Sequence, residues 1–294
     1  MNTENKQKRH LFLDHPILSG IVLLAVYILI CKTVSFCISP FFANQEFSEA
    51  VYCLIPVLSA LALSLLVKMA VKNGYILGLR AQNFGECLKL GWLFPAYLIV
   101  QGIFNSLDSP WYANVTLTVI LTAFFQSAEA GFSEELMFRS LIANNMMRVW
   151  IHKKYGIYAS AVISALIFGG IHLMNASVVG FTLALFSQLI YSPALGILLG
   201  AMYLRTRNLW GCIVMHTMLD FFNMLYVTGT TEDILREQIS MEDMLVTGLL
   251  VVFSLAAAFY MLRPAKHEQI RANWMTAETG PAKTVSAKAE PKAA

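Results

Sequence analysis

Charge is scarce in this chain. Of its 294 residues only 13% are Asp, Glu, Lys or Arg, while 57% are hydrophobic; an average soluble domain carries roughly 25% charged residues. That balance excludes an ordinary soluble globular domain and points to the bilayer. The net charge of +3 comes with no basic patch interleaved with aromatics, so nucleic acid is not an expected partner. Cysteine pairing is missing too. The five cysteines (31, 37, 53, 87 and 212) form no CxxC, which argues against a disulfide framework or a zinc knuckle and leaves them as small apolar residues. HExxH, the zinc-protease signature, is absent, since "HEQIR" at 267–271 ends in arginine. No internal repeat is evident, and many secondary transporters are built from repeated halves.

What the chain does have is apolar runs. Spanning a bilayer takes about 20 mostly apolar residues, and such stretches recur along nearly the whole sequence, which argues against a removable signal peptide. Eight spans are expected, at 17–37, 50–71, 88–107, 112–138, 157–176, 179–204, 208–228 and 243–262. Backbone in lipid must satisfy its own hydrogen bonds, so runs of this length mean helices. The expected fold is therefore an all-α polytopic membrane protein. Lys68, Lys72, Arg80 and Lys89, then Arg148, Lys153 and Lys154, then Arg205 and Arg207, then Arg263 and Lys266 fall between spans or at their ends on one side. Opposite segments 38–49, 108–111 and 177–178 have no Lys or Arg, and 229–243 sets Arg236 against five acids. By the positive-inside rule both termini are cytoplasmic. Residues 1–16 read as a cytoplasmic N-terminal segment, 17–262 as one helical membrane domain, and 263–294, rich in Ala, Lys and Pro, as a disordered tail. Segment 73–92 mixes apolar and polar residues and is expected along the cytoplasmic interface.

Ionisable residues inside the membrane cost about 2.5–3.5 kcal/mol each on insertion scales and by default mark function. Three helices carry them: Glu134, Glu135 and Arg139 in "EELMFR", His172 in "FGGIH", and His216 with Asp220 in "HTMLD". Glu135 and Arg139 stand at i and i+4 and can neutralise each other as a brace. Glu134 is turned about 100° away and is free for other work. Asp220, again at i+4, can accept from one nitrogen of His216 and fix its tautomer. Phe168 sits one turn before His172, where it can pack on the ring. One free carboxylate and two imidazoles in a dry pocket can activate water. The same residues could also serve a structural ion pair, a core histidine or a packing hydrogen bond. Glu129, Asn175, Asn223 and Lys32 read as interfacial or packing residues. On straight rods Glu134 and His172 fall at different depths, so helix breaks near Gly131 and near Gly169 and Gly170 are expected to bring the motifs together.

The ordered trio EExxxR (134–139), FxxxH (168–172) and HxxxD (216–220), with the stretch 194–220 leading into the last, resembles the CAAX prenyl endopeptidases and their bacterial relatives. These are the Abi or CPBP intramembrane proteases, linked to bacteriocin immunity and lysostaphin resistance. The resemblance covers about 112–228, a protease-like core. It implies an endopeptidase acting on a membrane-associated or prenylated CAAX-like peptide substrate in the plasma membrane, the bacterial cytoplasmic membrane. Carried over by position, Glu134 and His172 hold and deprotonate water, His216 and Asp220 meet the oxyanion or the substrate carbonyl, and Glu135, Arg139 and Phe168 give structural support. The third motif of the family often ends in Asn, and an ionised Asp220 would repel an oxyanion, so Asp220 is either protonated or orients His216. A metal-independent mechanism with no cofactor is expected; the alternative is Zn2+ on Glu134, His172 and His216. A proton-coupled transporter and a non-enzymatic immunity-type protein are the competing functions.

Overall fold

The structure is a computed structural model that describes residues 14–42, 48–71, 77–108, 112, 115–227, 239 and 241–279. Among the described residues every regular element is helical. Two long helices open the chain, α1 (Pro16–Phe42) and α2 (Ser48–Val71), followed by a short α3 (Phe84–Leu90) and α4 (Leu93–Asp108). Next comes α5 (Leu117–Glu135), which passes directly into a π-helical stretch, Leu136–Ala143, and then α6 (Asn144–Trp150). Helix α7 (Gly156–Ile171) tightens into a 3-10 turn (His172–Asn175) and a single turn α8 (Ala176–Val179). The remaining helices are α9 (Leu183–Thr206), α10 (Leu209–Val227), α11 (Met241–Met261) and α12 (His267–Thr279).

Local chemistry sets several of these boundaries. Thr116 precedes α5 in an extended conformation and its Oγ1 accepts from the Val119 amide at 3.3 Å. Thr182 does the same for α9, accepting from Leu185 at 3.1 Å. Both satisfy an amide that the first helical turn leaves without a partner. Helix α9 stops where Arg207 turns left-handed (φ 51°), and the Asn208 side chain then donates to the carbonyls of Arg80 and Gln82 at 2.6 and 2.8 Å. The expected interfacial segment is thus clamped to the α9–α10 turn over its described part. Cys87 of α3 is fully buried, 3.9 Å from Cys212 of α10.

Five helical stretches are long and apolar enough to cross a membrane, and a sixth if α3 and α4, bent by 47°, count as one span. The chain is a multi-pass membrane protein. The count differs from eight because α5 and α10 are not among these stretches; their site residues lower their hydropathy. Leu29, Phe36, Leu58 and Val252 project outward from α1, α2 and α11, as expected where lipid and not protein covers a face.

The tail departs from expectation. Pro264–Lys266 forms a 3-10 turn and His267–Thr279 a helix; residues 280–294 lie outside the described residues. Ile270 and Trp274 are spaced i, i+4 and buried. Trp274 Nε1 donates to the Leu204 carbonyl at 2.9 Å, and the Arg207 guanidinium stacks 4.3 Å from its ring. Two apolar anchors on one stripe suffice to dock a helix whose overall composition is polar.

The two largest helix–helix interfaces, α7 on α9 and α5 on α10, frame the centre of the fold. Each closes over a glycine. A Cβ at Gly131 would run into Thr217 Oγ1 and lie 3.0 Å from the Thr217 amide nitrogen; one at Gly169 would lie 2.7 Å from two carbons of the Pro193 ring. Only glycine lets these backbones approach so closely.

Candidate active site

The close approach at Gly131 brings the carboxyl end of α5 against the middle of α10, because Thr217 follows His216 directly. Helical geometry then sets Glu134 and Glu135 about 100° apart, and the two acids straddle one imidazole. Glu135 Oε1 lies 3.0 Å from His216 Nδ1, while Glu134 Oε2 lies 3.7 Å from Nε2. Asp220, one turn further along α10, places Oδ2 3.4 Å from the same Nε2. Both nitrogens of His216 therefore face carboxyl oxygens and are placed to donate.

Glu135 and Arg139 form the expected i, i+4 pair, with Nε 3.2 Å from Oε2 and both side chains fully buried. The Nε–H is not aimed along that line, and Nη1 and Nη2 have no hydrogen-bond partner among the described residues. The guanidinium lies 5.0 Å from the centre of the Phe168 ring, which supplies a cation–π contact. Glu135 is thus more than a brace. It holds Arg139 with one oxygen and accepts from His216 with the other, the orienting task that the spacing had suggested for Asp220.

His172 opens the 3-10 turn after α7. Its Nδ1 lies 3.0 Å from the Phe168 carbonyl; a carbonyl only accepts, so Nδ1 carries the hydrogen, and in the neutral ring Nε2 keeps its lone pair. Phe168 packs edge-on against both histidines, 5.1 Å from His172 and 6.0 Å from His216 between ring centres, and against Phe138 at 5.0 Å.

A cavity of about 450 Å³ gathers these groups: Glu134, Phe168, His172, His216 and Asp220 all line it. Glu134 and His172 share this wall even though straight rods would separate them. The irregularities that permit it are not the expected ones throughout. Helix α5 stays α-helical through Gly131, which serves close packing, and the change of pitch falls at the π stretch beginning at Leu136. On α7 the change comes just after Gly169 and Gly170, at His172. Glu134 is nearer to His216 than the division of labour read from the sequence implied, and no hydrogen bond joins Glu134 to His172 among the described residues.

Three residues set aside as packing also line the cavity: Glu129, Asn175 and Asn223. Their spacing carries the signal. Asn223 is seven residues from His216 and three from Asp220, on the same face of α10, and Asn175 is one turn beyond His172. Glu129 Oε1 accepts from Ser133 Oγ at 3.0 Å, and Asn175 donates to Gln188 Oε1 at 3.0 Å. Lys32 is exposed on α1 and takes no part in this wall.

The zinc alternative needs Glu134, His172 and His216 to converge on one point with a free nitrogen from each ring. Among the described residues no three His, Cys, Asp or Glu side chains stand so, and His216 already has a carboxyl oxygen at each nitrogen. In this arrangement the three do not form a metal site.

No curated protein and no solved structure matches the chain. A family model does, over the stretch that contains α5, the π segment, α7, α9 and the site-bearing part of α10: residues 114–222 match the model described as type II CAAX prenyl endopeptidase Rce1-like.

Proposed function

We propose that this chain is an intramembrane endopeptidase that hydrolyses a peptide bond of a membrane-associated protein, with Glu134 and His172 activating water. The observation that carries the reading is the single cavity lined by Glu134, His172, His216 and Asp220, taken with the family to which residues 114–222 are matched. Water sits between the Glu134 carboxylate and His172 Nε2. Glu134 takes a proton, with His172 holding the water, as the water oxygen forms a bond to the substrate carbonyl carbon. The carbonyl oxygen becomes an oxyanion and is met by a hydrogen of His216 Nε2, held in position by Glu135 at Nδ1. The C–N bond then breaks, and the leaving amine receives the proton taken from water. Asp220 flanks His216 Nε2 and orients it before substrate arrives.

The lysine and arginine asymmetry supports cytoplasmic termini; a bacterial cytoplasmic membrane is the setting that the family resemblance implies. The Glu134 and Asp220 carboxyl groups and the paired Glu135–Arg139 unit supply the carboxylate and guanidinium charge that the steps above use. Trapping tests the proposal. The Glu134→Gln variant, expressed in place of the wild type, accumulates an uncut membrane peptide that wild-type cells process. Identical peptide profiles in the two strains would refute the assignment of Glu134.

A further inference from the structure

Serine and threonine inside a helix can turn the hydroxyl back onto a carbonyl one turn earlier. Ser160 does so on Gly156 at 2.7 Å, Ser164 on Ala161 at 3.1 Å and Thr206 on Met202 at 2.8 Å. Ser192 of α9 does not. It is 3% exposed, yet its Oγ has no hydrogen-bond partner among the described residues. It directly precedes Pro193, whose ring packs on Gly169 of α7, so the α7–α9 contact fixes its place. On α10, Asn223 Oδ1 is likewise buried without a partner among the described residues. Both residues line the cavity, and Leu195, Leu199 and Leu219 give the same two walls apolar surface. Ser64 and Ser254 are orphaned too, but neither lines this cavity.

A buried hydroxyl or carbonyl left without a partner costs about 1–3 kcal/mol, so two of them at one cavity are accounted for by a partner that arrives with the ligand. One can donate and the other only accepts. An extended peptide needs both. Away from water each of its N–H and C=O groups must find a partner, whereas a helical peptide has already paired its own. We infer that Ser192 and Asn223 hold the substrate's backbone: the Ser192 hydroxyl donates to a carbonyl oxygen, Asn223 Oδ1 accepts an amide N–H, and the chain crosses the cavity unwound beside the bond to be cut. Rotation about χ1 of Ser192 and χ2 of Asn223 carries each oxygen from its buried position to the peptide. Both are substrate-binding residues on walls that the hydrolytic steps use only through other groups. The site therefore selects chain conformation, and its grip on the backbone is independent of the substrate's side chains.

This inference rests on the endopeptidase reading for the nature of its ligand, so binding and cleavage are read separately. The full chain in liposomes is given a palmitoylated Leu/Ala-rich peptide in which each central peptide bond is replaced in turn, by an ester that lacks the N–H or by an alkene that also lacks the carbonyl oxygen. With the wild type, one ester and one alkene each weaken binding about tenfold. In Asn223→Leu the all-amide peptide binds about tenfold more weakly, and that ester costs nothing further. Ser192→Ala behaves in the same way towards the alkene. Ser192→Ala also melts at or above the wild-type temperature, because it removes an orphaned hydroxyl; a structural hydrogen bond would give the opposite shift. Failure of the amide peptide to bind, equal affinity of the wild type for all the backbones, or a uniform loss for every backbone in both variants would overturn the inference and leave the hydrolytic reading intact. Backbone-coupled binding through Ser192 and Asn223 with no cleavage by the wild type would do the reverse.

Discussion

Glu135 and Arg139 are both fully buried, and each depends on the other for charge balance. Replacing Glu135 with Gln keeps the shape but leaves a guanidinium in the core whose Nη1 and Nη2 have no hydrogen-bond partner among the described residues. Removing one partner of a buried ion pair costs about 3–5 kcal/mol. At about 2 °C per kcal/mol for a chain of this length, Glu135→Gln lowers the melting temperature by roughly 6–10 °C. The double variant Glu135→Gln with Arg139→Met removes both charges at similar volume, and such paired replacements are often close to neutral. It therefore melts within about 3 °C of wild type. Catalysis follows a different pattern, because Glu135 also accepts from His216 Nδ1 at 3.0 Å. The double variant recovers stability and not activity. The assay is thermal unfolding of purified protein in detergent, read by fluorescence-detected size exclusion, alongside cleavage of a reporter peptide in liposomes. A wild-type melting temperature for the single variant would refute the reading of the pair as a charge-compensated unit. Full activity in the double variant would refute the orienting role of Glu135.

Gly131→Ala places a methyl group against Thr217. It is expected to cost about 1–3 kcal/mol in stability and to lower cleavage further than that loss explains, since α5 moves away from His216; melting and turnover measured together separate the two effects. Asp220→Asn keeps an oxygen that can accept from His216 Nε2, so cleavage stays within about tenfold of wild type, whereas Asp220→Ala falls by more than that. Prolonged chelation leaves cleavage unchanged, and purified protein carries less than one equivalent of zinc by elemental analysis; activity lost to chelator and restored by zinc would contradict the metal-independent steps.

Much of this architecture can be read from residue patterns. Twenty-residue apolar runs have few physical solutions in a bilayer, which is why helix covers most of each expected span among the described residues, with breaks at Gly91–Trp92 and Gly180–Thr182. The i, i+4 spacings of Glu135 with Arg139 and of His216 with Asp220 translate directly into the distances found, because they depend on one helix each. What spacing cannot carry is the meeting of helices. The contact of Glu135 with His216 links residues 81 positions apart and depends on Gly131 packing over Thr217. The π stretch at Leu136–Ala143 is likewise set by burial on all sides and has no local breaker residue to announce it. The docked helix His267–Thr279 was hidden by averaging: Ile270 and Trp274 are diluted by the polar residues that follow. Glu129, Asn175 and Asn223 were visible on the right helical faces, yet each alone looks like a packing residue. The cavity makes them part of one wall.

The most direct test of the central claim is the turnover of a reporter peptide by reconstituted Glu134→Gln protein that melts like wild type. Loss of a general base costs about 10²–10⁴-fold, so the account predicts cleavage reduced by at least about a hundredfold with binding of the uncut peptide retained. Cleavage at the wild-type rate would contradict it.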